Sequence, residues 1–214
     1  MWWQQRTLPA PVAASARALD RLLLMPVTGS GSPALDAALT ARLRDGLQAV
    51  PGLAVVDGER SGWAVRQLQG VAGRQPDAGA VLRQVGAQRA LQLDLQQRGG
   101  RWQARLRTQG DGATPEWTTG ATGTPQEAVL AAVRDPRSAA LLGNRAQAVQ
   151  VVRLPDAALA AFGAGLIARD AGKLPDAAGH FEQATAAAPG DPWLWLALAR
   201  VAAAMGEDER AADA

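Results

Sequence analysis

The first side chain to test for chemistry is His180, the single histidine, which stands beside Phe181 and two positions before Glu182. A histidine base needs an acidic partner and a nucleophile converging on one cleft. Glu182 points to a different side of a helix, so His180 reads as a packing or surface residue. Because imidazole changes charge near neutral pH, it also counts as a candidate interaction or sensing residue. Thr28-Gly29-Ser30-Gly31-Ser32 offers backbone amides ahead of a helix, as an anion loop does. It lacks the Lys-Ser/Thr ending of a phosphate loop and reads as a flexible strand-to-helix turn. Asp57, Glu59 and Asp77 are dispersed, and Glu207-Asp208-Glu209 lacks the spacing of a calcium loop; that run suits the positive end of a helix dipole. There is no cysteine, which removes disulfides, thiolate catalysis and thiolate-held metals. No catalytic residue, cofactor site or metal site is assigned.

Aromatic residues offer a different chemistry, that of contact. Trp193 and Trp195 are two positions apart, so they face differently: Trp195 reads as a packing residue and Trp193 as exposed at an interface. Trp63, Trp102 and Trp117 read as core or sheet-face residues. The net charge is +2, and the arginines at 42, 44, 60, 66, 74, 83 and 89 are scattered among acids rather than gathered on one face, which excludes a nucleic-acid surface. The isoelectric point of about 10.2 reflects 21 Arg and one Lys with no Tyr or Cys to offset them. With 214 residues, 48% of them hydrophobic, the chain can bury one large core or two modest ones. No apolar run is long enough to span a membrane. Met1-Trp2-Trp3-Gln4-Gln5-Arg6 lacks the apolar centre of a signal peptide; its paired tryptophans beside Arg6 fit either the interfacial belt at the end of a membrane helix or an exposed end.

The elements that must position these residues follow from pattern. Residues 1–20 read as a linker or juxtamembrane segment rich in Pro, Ala and Ser. Arg21 to Val27 is a short continuous apolar run, a strand buried on both faces. Leu35, Leu39, Leu43 and Leu47 recur every four residues and predict a helix over about 33–49, stopped by Pro51-Gly52. Leu53 to Asp57 is a second strand. The polar, glycine-containing stretch to about residue 76 shows no decisive period. Asp77 caps a helix that ends at Gly86. Two alternating runs, 90–96 and 102–107, form a hairpin around Gly99-Gly100, with Leu91, Leu93 and Leu95 on its inner face. Glu116-Trp117-Thr118 adds a strand after a turn around Asp111-Gly112. Thr124 and Glu127 complete a capping box, and Pro136 breaks that helix before a segment through Leu141-Leu142 to Gly143. Val149, Val151 and Val152 either belong to a junction or pair with the edge of the sheet. The fold class is α/β, a small mixed sheet with flanking helices, followed by an all-α helical hairpin segment.

That last segment repeats at a period of 34: Gly172 matches Gly206, Ala177 matches Ala211, and Pro192 opens a second copy as Ala158 opens the first. Gly165, Gly172, Ala177, Phe181, Ala184 and Pro189, with Trp195 in the second copy, occupy the small, aromatic and terminating slots of a tetratricopeptide repeat, which the segment resembles. The second unit reads as truncated, so the chain reads as a fragment. The preceding run, Leu22 to about Leu142, resembles the TolB-amino-terminal-like α/β domain of bacterial regulators. The likeness rests on LLLMPV, on ALDAALTARLRDGLQAVPGLAVVD and on VLRQVGAQRALQLDLQQRGGRWQARLRTQ. Leu93 replaces a glycine usual in that family's third strand, and its closing Leu-Trp appears as Glu116-Trp117. The resemblance implies a TolB-like domain over 21–145, a junction over 146–157 and repeats over 158–214. It implies a non-enzymatic periplasmic sensor and protein-interaction module of a single-pass signalling protein, whose absent effector is a serine/threonine kinase or a winged-helix transcriptional activator. The partner is a protein or peptide held by the repeats, with a homodimer left open and the membrane reached through an absent upstream helix. A cytoplasmic scaffold docking a partner protein is the alternative.

Overall fold

The computed structural model describes residues 21–72, 76–110 and 115–206. The juxtamembrane segment with Trp2 and Trp3, the Asp111-Gly112 turn, Glu207-Asp208-Glu209 and Ala211 lie outside the described residues. The elements are β1 (Arg21–Leu24), α1 (Pro33–Gln48), β2 (Ala54–Val55), α2 (Gly58–Ala72), α3 (Ala78–Val85), β3 (Arg89–Arg98), β4 (Arg101–Gln109), β5 (Glu116–Thr118), α4 (Pro125–Arg134), α5 (Ala139–Leu142), α6 (Asp156–Asp170), α7 (Leu174–Ala187) and α8 (Pro192–Ala204). This is a mixed α/β layer followed by a helical segment.

The sheet runs β2-β1-β3-β4-β5. β1 lies parallel to β2 and β3, while β3, β4 and β5 are antiparallel. The apolar run of β1 is explained by its two burials. Leu22 and Leu24 join Leu39, Leu43 and Leu47 of α1 on one face of the sheet. Leu23 and Met25 join Ala64 and Val65 of α2 and Val81, Leu82 and Val85 of α3 on the other. The stretch after β2, which carried no decisive period, is α2; Asp57 starts it by accepting the amides of Glu59 and Arg60 at 2.8 and 3.3 Å. Local signals hold where chemistry is local: Asp77 caps α3, and Gly86 closes it in the left-handed conformation. The Thr124–Glu127 capping box opens α4, and the β3–β4 register closes on Arg98 opposite Arg101.

The connector after α5 is a correction to the edge-pairing option. Residues 149–155 form no strand; side chains of neighbouring helices bind their backbone instead. Arg134 donates to the carbonyl of Val149 at 2.7 and 3.0 Å. The Gln126 amide pairs both ways with Leu154, at 2.8 and 2.9 Å. Strand pairing is replaced because β2 and β5 are too short to template an edge over that length, whereas α1 and α4 present polar side chains.

The repeat stacks onto α1. A Cβ on Gly163 of α6 would collide with the carbonyl of Ala34, and one on Gly46 of α1 with the carbonyl of Gln150. Glycines at these points let backbones approach within one side-chain radius of each other. Leu159, Phe162 and Leu166 of α6 thereby enter the apolar cluster that begins at Leu22 and reaches Val201 in α8.

Candidate functional site: a groove between the sheet domain and the repeat

Gly172 and Gly206 stand 34 residues apart and have φ values of 74° and 75°. Each follows the end of a helix: α6 stops at Asp170 and α8 at Ala204, again 34 apart. Within the first unit, Gly165 is pressed by the Phe181 ring, and a Cβ there would meet it at 2.5 Å. Phe162 packs on Phe181 at 5.8 Å between centroids. Ala177, Phe181 and Ala184 are buried along α7. Pro189 is exposed past the end of α7, where its carbonyl accepts the Trp195 indole N–H at 2.8 Å. The small-and-aromatic pattern therefore converges on one helix–helix contact. His180 is half-buried on α7, apart from the groove described next.

That groove, of about 820 Å³, opens between α1, α6 and α8. Its base lies at the carboxyl ends of β1 and β2, where Pro26, Val27, Asp57 and Gly58 line it. β1 feeds α1 on one face of the sheet and β2 feeds α2 on the other. In the order β2-β1-β3 the topological switch point lies between β1 and β3, so the groove, on the β1–β2 side, lies beside it rather than in it. α1 contributes Ala37, Ala41, Arg44 and Asp45, while α8 contributes Trp193, Leu196, Ala197 and Arg200. Trp193 and Leu196 are 40% and 38% exposed, giving the rim an apolar lip.

A buried ion pair fastens α1 to the start of α8. Arg42 of α1 donates a forked pair to Asp191 at 2.8 and 3.3 Å, and both side chains are 3% exposed. Asp191 also caps α8, accepting from the amides of Trp193 and Leu194 at 3.0 and 3.3 Å. Beside this latch, burial pushes the Asp45 carboxyl up to about 6 against the pull of Arg42, Arg44 and Arg200, with Asp191 adding to the rise. Burial also holds the Arg44 guanidinium below its ordinary value, partly offset by Asp45 and Asp57. Chemically, the site is a partly apolar channel with desolvated charge of both signs on its floor. Among the described residues no group of three or more metal-ligating side chains stands together.

Trp193 was legible in the sequence, and the structure puts it on this rim. Arg42, Arg44, Asp45, Leu196 and Asp191 were not. One signal pointed to the first of them: Ala38, Arg42 and Gly46 form a second buried stripe on α1 beside the leucines, the mark of a helix buried on two sides.

Residues 168–214 match the tetratricopeptide repeat family. No curated protein matches the chain. A solved structure similar to it is the LpoB C-terminal domain from Salmonella enterica, at 21% identity over 52% of this chain and 88% of that one, with a TM-score of 0.38. The chain carries tetratricopeptide content behind an α/β layer and is, at that level, a protein-interaction module. No helix among the described residues is long and apolar enough to cross a membrane.

Proposed function

We propose that this chain is a non-enzymatic sensor module that holds a segment of a partner protein in the groove between α1, α6 and α8. The observation that carries the reading is the mixed parentage of the groove, whose walls come from the sheet domain on one side and the repeat on the other. An occupant therefore touches both and biases how they pack, which is what a sensor needs in order to report occupancy. Repeat hairpins supply binding surface by stacking, and here α1 extends that surface. The sequence likeness of Leu22 to Leu142 to the TolB-amino-terminal-like domains supports a location on the periplasmic side of a single-pass bacterial signalling protein. Its effector would be a serine/threonine kinase or a winged-helix activator.

Random-sequence peptides displayed on phage test the groove. Peptides selected by the chain should lose binding to a Leu196→Asp variant that keeps its fold by circular dichroism. Selected peptides that bind this variant unchanged would sink the groove reading. A compartment-sensitive reporter fused after the segment in the parent protein tests location, and a cytoplasmic signal there would favour a scaffold inside the cell.

A further inference from the structure

A shift of 34 positions carries the face of α6 that meets α1 onto the groove wall of α8. Leu159, Phe162, Gly163 and Leu166 become Trp193, Leu196, Ala197 and Arg200. The first four are buried where α1 packs on α6, with the backbone of Ala34 seated on Gly163. The second four are open: Trp193 and Leu196 are exposed, Ala197 is half-buried and Arg200 is exposed, and all of them line the groove. The repeat thus presents one helix-holding face twice, once covered by a helix and once uncovered. The two copies are continuous, because Phe162 and Leu166 also reach the groove and Ala37 and Ala41 of α1 form its opposite wall. Small side chains at 37, 41 and 197 let another helix come close, as Gly163 does for α1.

We propose that the occupant of the groove is an amphipathic α-helix of a partner protein, which crosses α8 at Ala197 with a Gly, Ala or Ser of its own and rests apolar side chains on Trp193 and Leu196. This inference rests on the groove reading above and adds the conformation and residue pattern of the occupant. Backbone chemistry selects the conformation. No lining residue belongs to a strand, so an extended segment finds no ladder for its N–H and C=O groups, whereas a helix satisfies its own. Charge selects nothing, since the lining holds five carboxylates against four arginines. A second copy cannot lend its α1 to the site, because each α1 already buries that face against its own α6.

The displayed-peptide selection provides the test when its inserts are about 20 residues, long enough to form a helix. Peptides that depend on Leu196 should carry apolar residues one helical turn to either side of a small one. On the unaltered chain, a lactam bridge between solvent-side positions i and i+4 should tighten such a peptide about threefold or more by preorganising it. Proline at mid-helix should weaken it about a hundredfold, and Leu in place of its small residue about tenfold. An Ala197→Leu chain that keeps its fold by circular dichroism should also bind the parent peptide about tenfold more weakly. The peptide comparisons on the unaltered protein keep the result independent of whether Ala197→Leu folds. Leu196-dependent peptides that lose binding when bridged and tolerate proline would overturn this inference and leave the groove reading standing. A folded Ala197→Leu chain that binds them unchanged would overturn the crossing, and a selection with no Leu196-dependent peptide would overturn both readings. A dimer in sedimentation equilibrium that Leu196→Asp dissociates would make a second copy the occupant and overturn the partner helix.

Discussion

Arg42 and Asp191 meet where neither reaches solvent, and Asp191 caps α8 as well. Removing one partner of a buried pair leaves a desolvated charge and costs about 3–5 kcal/mol. Arg42→Met should therefore lower the urea midpoint sharply, and Asp191→Asn should do the same. The double variant Arg42→Met with Asp191→Asn should lose less than the two single losses together, because no orphaned charge remains; strict additivity would show that the pair is not a coupled latch. Asp45 behaves in the opposite way, since no close ion pair in the described structure rewards its burial. Its folded carboxyl protonates at about 6, above the ordinary value of 3.8, so the folded state binds its proton more tightly than the unfolded chain does. The resulting penalty is full above about pH 6 and fades as pH falls toward the unfolded value. Asp45→Asn should stabilise the chain by roughly 1–3 kcal/mol near pH 7.5, with the gain shrinking toward pH 4. An equal gain at both pH values in chemical unfolding would refute the ionisation argument.

At the scale of elements, three glycines in the repeat separate packing from propensity. In α6, Gly163 faces the backbone of Ala34 and Gly165 faces the Phe181 ring, so neither has room for a Cβ. Gly179 of α7 has nothing within reach of one. Gly163→Ala and Gly165→Ala should each cost about 1–3 kcal/mol by overpacking, with Gly163 the worse because a carbonyl cannot swing aside as a ring can. Gly179→Ala should add about 0.5–1 kcal/mol through helix propensity alone. Thermal midpoints that fall for all three would mean that this packing is misjudged. The contrast also shows what the sequence made legible. Thr124, Glu127, Asp77 and Gly86 act within one turn of chain, so the caps were readable residue by residue. β1 was readable because its burial on two faces leaves a continuous apolar run, and Gly172 and Gly206 because a repeat displays its own period. α2 was not, since Glu59, Arg60, Arg66 and Gln67 keep most of it wet and its short apolar stripe, Ala64, Val65 and Leu68, is flanked by Gly62 and Gly70. The groove was not readable either. Arg44 and Trp193 lie 149 positions apart in the chain, and nothing local to either announces that α6 docks on α1 through Gly163.

For the whole molecule, the consequence of that docking is a shared core. Phe162, Phe181, Leu194 and Val201 of the repeat belong to the same apolar cluster as Leu24, Leu43 and Leu93 of the sheet domain. The Arg42–Asp191 pair crosses the same boundary, and the Gln126–Leu154 amide pair ties down the connector between the two. Linked domains with small polar interfaces move and unfold separately, whereas parts sharing a desolvated core lose it together. Two native tryptophans report on the two halves: Trp117, buried in the sheet with its indole donating to the carbonyl of Ala132 at 3.3 Å, and Trp195 at the start of the second repeat unit. In chains that keep one of these and replace the other six tryptophans with phenylalanine, urea titrations should give coincident midpoints. Arg42→Met should move both midpoints by the same amount, because the latch belongs to neither half alone. If the Trp195 signal instead melted first, or if Arg42→Met shifted that signal and left Trp117 in place, the repeat would be an appended body. Contact with a ligand in the groove would then stay local. Coincidence makes the groove a position from which occupancy changes the stability of the sheet and the repeat at once, and that coupling is the physical requirement for reporting it.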